Sequence, residues 1–409
     1  MLAVASRDLF GGRAVVKPQT TTEDQMAQPD HLAAASSPVE SDEPDKLEPG
    51  VALCLSGGGY RAMVFHIGAI WRLNELRYLA KLDRVSSVSG GSITAGVLGL
   101  NWHQLEFDAD GYATNLDEQF VKPLRNLASK TIDLSAVLLG ILLPGTISNR
   151  VAGAYRKHVF GQTTLQNLPE RPRFVINSTN MQTGSLWRFS KPYMADYQVG
   201  MVRNPDVELA LAVAASSAFP PILSPARLHL DAASFDPAER GPLHVPPYTT
   251  EPVLSDGGVY DNLGLETAWK RYTTILVSDG GGKMGPQPKP KHDWARHAYR
   301  TLGVIDTQVR NLRKRQVVAG YLRGDRQGTY WGIRSHMGDY GPPAGSLPFP
   351  DDKALLLAHT ATRLKAMDGV LQERLINWGY AICDAGMRKW VEPDAQAPAD
   401  FPYPAAGVG

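Results

Sequence analysis

Cysteine is almost missing from this chain: Cys54 and Cys383 are the only two among 409 residues. Two cysteines build neither a disulfide framework nor a zinc cluster, and such usage suits a reducing cytoplasm. Long hydrophobic runs are missing as well. No stretch reaches the ~18 apolar residues that suggest a membrane-spanning helix. The opening residues, MLAVASRDLFGGRAVV, lack the long apolar stretch of a signal peptide. An excess of charge of one sign is also lacking. The formal net charge of +1 argues against bulk electrostatic binding to nucleic acid. No histidine–carboxylate cluster has ligand spacing, so neither a metal nor a cofactor is expected, and Asp261 beside Asp256 is too little for calcium. Nothing in the sequence reports an oligomeric state.

What is present is a chain able to bury a substantial core, 43% hydrophobic and 20% charged. Residues 1–48 read as a disordered tail, rich in Thr, Gln, Ser and Pro and acidic from Glu23 to Glu48; such a segment cannot bury enough apolar surface to offset its ordering entropy. From residue 49 strand-like and helix-like stretches alternate. Val51–Leu55 reads as a buried strand and Cys54 as a small buried residue. Strands are also expected at LDRVSSV, RFVINSTN and TTILVSDGG. Helices are expected after each of two glycine turns, over VELALAVAASSAFPPIL up to Pro220, and from Trp294 to Leu322 with Gly303 as a candidate break. The alternation predicts α/β layers around a mostly parallel sheet. One domain spanning 49–392, with a short tail over 393–409, accounts for the length.

Two strand–turn–helix units come early, and in such sheets the turns at the carboxyl ends of strands line the binding crevice. In the first, SGGGYRA (Ser56–Ala62), Gly57, Gly59 and Ala62 formally match the dinucleotide pattern G-x-G-x-x-A. The same glycines also suit an oxyanion hole, or a bare tight turn. The dinucleotide reading wants an acid at the end of the second strand, whereas Asp83 stands at its start. The second unit, SSVSGGS (Ser86–Ser92), has the form of a nucleophile elbow with Ser89 at the apex and Ser87 in place of the first glycine. Ser86 and Ser87 fall within the strand, and Ser92 lies one turn into the helix. The plain alternative is a helix start capped by a serine. A serine nucleophile needs a base. His66, inside the first helix, is packed or solvated. Asp256, in LSDGGVYDNLGLE, and Asp279, in LVSDGGG, both end strand-like runs beside glycines, and the residues alone do not choose between them.

Taken in order, SGGGYRA, SSVSGGS and SDGGVYDNLG resemble the patatin-like phospholipase family, as do INSTNMQTG, LAVAASSAFPP and LINWGYAICDAG; the likeness runs over about residues 50–390. The resemblance implies a three-layer patatin-like fold and hydrolysis of fatty-acyl esters by a Ser–Asp dyad without histidine. It assigns Ser89 as nucleophile and selects Asp256 over Asp279. It places the oxyanion hole at Gly57, Gly58 and Gly59 with a contribution from Gly90. It gives Arg61 a role in orienting the glycine loop or attracting phosphate; a surface arginine is the plainer reading. A phospholipid or other lipid ester is the implied substrate, met at a membrane surface without an anchor by a cytoplasmic or peripheral protein. For that contact the sequence offers two stretches. Asp133–Ile147 reads as a lid or a core helix. The basic run Arg310, Arg313, Lys314, Arg315, Arg323 and Arg326 reads as a head-group patch or a solvated helix face. Lys283–Asp293 reads as a surface loop. A signal-activated or non-catalytic protein of the same fold, with the acidic tail as a cover, is the remaining alternative.

Overall fold

The computed structural model describes residues 47–132 and 147–409. The tail expected over 1–48 lies outside the described residues but for its last two, and Asp133–Ile147 lies outside but for Ile147. Eleven strands share one sheet: β1 (Glu48–Leu55), β2 (Leu82–Val88), β3 (Arg173–Asn180), β4 (Leu186–Phe189), β5 (Tyr193–Asp196), β6 (Gly200–Arg203), β7 (Ala226–Arg227), β8 (Phe235–Arg240), β9 (Val253–Asp256), β10 (Tyr272–Asp279) and β11 (Gln327–Gly332). The principal helices are α1 (Gly59–Glu75), α2 (Gly90–Leu100), α3 (Lys122–Ala128), α4 (Ile147–Tyr155), α5 (Leu209–Ser216), α6 (Trp294–Arg323), α7 (Asp351–Ala358) and α8 (Gly369–Trp390).

The parallel part runs β11-β10-β1-β2-β3. Strands covered on both faces read as continuous apolar runs, and β1 shows why. Its Leu53 and Leu55 enter the cluster built with α1 and α8. Its Ala52 and Cys54 turn the other way, toward Trp269, Ile275, Val277 and Val317. Side chains alternate faces along a strand, so one run feeds two cores and makes three layers. On the first face α1 and α8 meet backbone to backbone: a Cβ on Gly68 would run into the Ile376 carbonyl and one on Gly379 into that of Phe65. Beyond β3 the sheet turns antiparallel through β4, β5, β6 and β8; from β3 to β6 the connections are short enough for hairpins and too short for crossovers, whereas a long excursion through α5 and β7 precedes β8.

Two helices end differently from their sequence patterns. α5 stops at Ser216, short of Pro220, and α6 runs unbroken through Gly303, which lies against Met284. Residues past 392 lie along α8, where Asn377 Nδ2 donates to the carbonyls of Tyr403 and Gly407 at 2.9 Å each.

Candidate active site

The parallel strands open their carboxyl ends on one edge, and β3 carries three partners there. It pairs with β4 through Ile176–Thr179, with β2 through Arg173–Asn177 and with β9 through Ser178–Asn180. A strand has two edges, so β2 and β9 share one of them end to end. Val88 stands opposite Asn177 and Asp256 opposite Ser178. The residue after β2 and the last residue of β9 therefore converge, although about half of the domain separates them in sequence.

The residue after β2 is Ser89. It caps α2 with φ 52 and ψ −119, a region that costs a non-glycine residue on the order of 1–3 kcal/mol and persists only where its surroundings enforce it. The enforcing contacts are specific. The Ser89 N–H donates to Ser216 Oγ at 3.0 Å, and Ser216 Oγ donates onward to the Asn177 carbonyl at 2.6 Å. Ser92 Oγ lies 2.9 Å from Ser216 Oγ. The next residue, Gly90, has no room for a side chain, because a Cβ would run into the Gly59 carbonyl. The serine turn and the glycine turn are thus in van der Waals contact, as two turns lining one crevice should be.

Asp256 is buried, and the Ser89 side chain is near enough to act on its carboxyl. Burial pushes its pKa up to about 7, against the downward pull of the Gly258 N–H and of Ser89, with the nearby Asp306 adding to the rise. Gly258 N–H donates to Asp256 Oδ1 at 2.7 Å. Asp279, its rival in sequence, is of another kind. Lys314 Nζ lies 2.6 Å from Asp279 Oδ2 and the Tyr330 hydroxyl donates to the same oxygen at 2.8 Å. Burial alone would raise its pKa, but Lys314 and Arg310 hold it well below the ordinary carboxylate range. An acid so paired is a permanent anion; an acid held near neutrality is a proton acceptor matched to neutral pH. His66 is buried between Ser278 Oγ at 2.8 Å and the Ser56 carbonyl at 3.0 Å, and desolvation lowers its pKa to about 4. It is a neutral packing residue.

The glycine turn has φ 148 at Gly58 and φ 60 at Gly59, conformations that need glycine. Gly57 N–H already donates to the Asn262 carbonyl at 3.1 Å, so Gly57 serves by close approach and not as an oxyanion donor. Among the described residues no acceptor takes the N–H of Gly58, Gly59 or Gly90. Backbone donors left open beside a serine suit an anion. Arg61 is buried. Its guanidinium donates to the carbonyls of Gly280 at 3.0 Å, Ala358 at 3.3 Å and Thr360 at 2.7 Å, and its pKa is lowered to about 10, chiefly by desolvation. Of the readings the sequence offered, burial excludes the surface arginine; Arg61 ties the glycine turn to two later loops.

The dinucleotide alternative has no support here. Asp83, near the start of β2, accepts from the Val51 N–H at 2.9 Å, and no acid closes β2. Above Gly59 lies the Arg363 backbone, whose carbonyl accepts from the Tyr60 N–H at 3.2 Å. Nor is the basic run a free patch. Arg313 pairs with Glu266 at 2.7 Å, Lys314 with Asp279, and Arg310 Nε donates at 3.0 Å to Asn262 with that amide turned oxygen-first. Ser216, Asn177 and Asn262 are the site residues that sequence reasoning missed. All three fall within segments it had marked, but hydroxyls and amides that hold a backbone carry no motif of their own.

A model described as patatin-like phospholipase matches residues 53–269. No curated protein matches the chain. Among solved structures, human GIVD cytosolic phospholipase A2 aligns with TM-score 0.47 and 12% identity over 82% of this chain and 61% of its own. The same human enzyme in complex with methyl gamma-linolenyl fluorophosphonate gives 0.45 and 14%, over 85% and 58%. VipD from Legionella pneumophila gives 0.33 and 14%, over 83% and 66%. This chain thus spans about three fifths of the length of the human enzyme.

Proposed function

The chain belongs to the patatin-like phospholipase family, and we propose that it hydrolyses fatty-acyl esters of phospholipids or related lipids with Ser89 as nucleophile and Asp256 as base. The observation that carries this reading is the meeting of a strained, elbow-borne serine with a buried, ion-unpaired carboxyl whose pKa stands at about 7. The open N–H groups beside them support it.

In the first half-reaction the Ser89 hydroxyl proton passes to the Asp256 carboxylate as Oγ bonds to the ester carbonyl carbon. The charge that develops on the carbonyl oxygen is met by the N–H groups of Gly58 and Gly59, with Gly90 alongside; one such donor is typically worth about 10²–10³ in rate. Collapse breaks the ester C–O bond, and the leaving lipid alcohol takes the proton from Asp256. In the second half-reaction Asp256 accepts a proton from water, the hydroxide attacks the acyl-serine, and the proton returns to Ser89 as the fatty acid leaves. An ordinary carboxylate is a weak base; a desolvated one is a stronger base, which is why the dyad works without a histidine.

The test is fatty-acid release from mixed phospholipid vesicles by wild type, Ser89→Ala and Asp256→Ala. Release by wild type that both variants lose supports the dyad. A silent wild type, with Ser89 also unlabelled by a fluorophosphonate, overturns it and leaves a non-catalytic use of the fold. Removal of residues 1–48 with a rise in release would favour the signal-activated variant of this reading.

A further inference from the structure

α6 is built inside out for a helix on a protein surface. Its inward side carries the charges. Arg310, Arg313 and Lys314 engage Asn262, Glu266 and Asp279, and along its length only Val317 and Gly320 are buried. Its outward side carries large apolar residues among Thr301, Gln308 and Arg315. Trp294 is 84% exposed, Ile305 55% and Leu312 58%. The spacings from Trp294 to Ile305 and from Ile305 to Leu312 are close to three and two turns, so the three share one stripe. Val304 and Leu322 flank it and are exposed as well. A stripe of this kind on a soluble surface marks an interaction site.

The charge around the stripe identifies the partner. Residues 283–300, KMGPQPKPKHDWARHAYR, carry Lys283, Lys289, Lys291, Arg296 and Arg300 against the single acid Asp293. An exposed tryptophan and aliphatic residues, with a cationic flank, are what an anionic bilayer surface takes up. Position agrees. α6 follows the carboxyl end of β10, the sheet edge on which Ser89 and Asp256 meet. Its Asp306 lies close enough to Asp256 to raise that group's pKa. We propose that the outward stripe of α6, Trp294, Ile305 and Leu312, together with the basic segment before it, is the surface by which this protein docks on anionic lipid. The sequence left Arg310–Arg326 open between a head-group patch and a solvated helix face; the structure turns most of those charges inward and leaves the contact to the segment read as a plain loop.

The proposal rests on the reading of this chain as a lipid hydrolase, and the experiment separates the two. Flotation of the full chain is measured with phosphatidylcholine vesicles and with vesicles that also contain phosphatidylserine. The proteins are wild type, the triple variant Trp294→Ser/Ile305→Ser/Leu312→Ser and the double variant Lys289→Glu/Lys291→Glu. Wild type is expected to bind the mixed vesicles more tightly, the triple variant to bind at least ~10-fold more weakly, and the double variant to lose the preference for phosphatidylserine. Equal flotation of wild type and triple variant overturns the proposal. So does a wild type that ignores vesicles but sediments as a dimer that the triple variant breaks, which would make a second copy the occupant. Should the triple variant fail to fold by circular dichroism, the double variant decides alone, because its side chains stand on an exposed loop: an unchanged phosphatidylserine preference overturns the proposal. Hydrolysis of a short water-soluble ester is read in parallel, and a wild type that floats but turns over no ester overturns the catalytic reading while leaving the docking surface standing.

Discussion

Lys314 Nζ lies 2.6 Å from Asp279 Oδ2, and no lysine or arginine stands in this relation to Asp256 among the described residues. The difference separates two acids that look alike in sequence. Asp279→Asn leaves a half-buried ammonium without its anion, and should cost about 3–5 kcal/mol of stability. That contribution is present above the ordinary carboxylate pKa and lost as pH falls. Asp256→Asn should instead abolish turnover. Urea midpoints together with kcat/KM per folded molecule distinguish the two; a fully stable but inactive Asp279→Asn protein would reverse the assignment.

Activity should follow the ionised form of Asp256. With its pKa at about 7, kcat/KM is expected to rise with pH and level off above neutrality. Stability runs the opposite way. The folded pKa is raised above the unfolded one, so the contribution of this carboxyl is whole below about pH 4 and lost progressively up to about pH 7. Asp256→Asn should therefore unfold at higher denaturant than wild type at pH 8 and at nearly the same denaturant at pH 4. Parallel melting curves at the two pH values check this.

On the proposed reading Ser216 is a positioning residue, acting on Ser89 through its N–H. In Ser216→Ala the Ser89 N–H loses its acceptor while Ser89 keeps its positive φ. The expected loss is about 10- to 100-fold in kcat, with KM little moved, because orientation of the attacking atom is what suffers. Ser216→Thr, which restores a hydroxyl, should recover part of it. A change confined to KM would count against the role.

Gly90→Ala tests the contact between the two turns. Its methyl group has to push the Gly59 carbonyl away, which moves the donors of Gly58 and Gly59 off the reacting carbonyl. Loss of at least ~10²-fold in kcat/KM is expected with the fold retained. Near-normal activity in a folded variant would mean that these donors do not serve the reaction.

Much of the site was legible because motifs report backbone geometry. Glycines at 58 and 59 and a serine before Gly90 and Gly91 are what positive φ and close approach require. Four of the five parallel strands were legible, β1 from its apolar run VALCL, since two-sided burial leaves no alternation; β11, QGTYWG, was not read. The antiparallel wing from β4 onward was not, because strands of four residues carry too few positions for a pattern. The residues alone left Asp256 and Asp279 level, and only the family resemblance chose Asp256; the pairings that set Asp279 apart come from Lys314 and Tyr330, on α6 and β11. The role of Arg61 stayed open between loop orientation, phosphate contact and a surface position for a related reason: its partners are carbonyls of residues 280, 358 and 360, and a carbonyl has no letter in the sequence.

On the proposed reading, the Arg61 clamp also bears on when the site is fully assembled. Ser89, Asp256 and the glycine turn are all made before residue 270 leaves the ribosome. Yet the turn is fastened by Gly280, Ala358 and Thr360, and covered by the backbone of Arg363. A nascent or proteolysed chain that ends short of these residues holds the whole dyad and lacks its fastening. On the proposed reading, lipid hydrolysis would then be withheld until residues 280–363 have been made, which spares the cell a half-made hydrolase acting on its own bilayers.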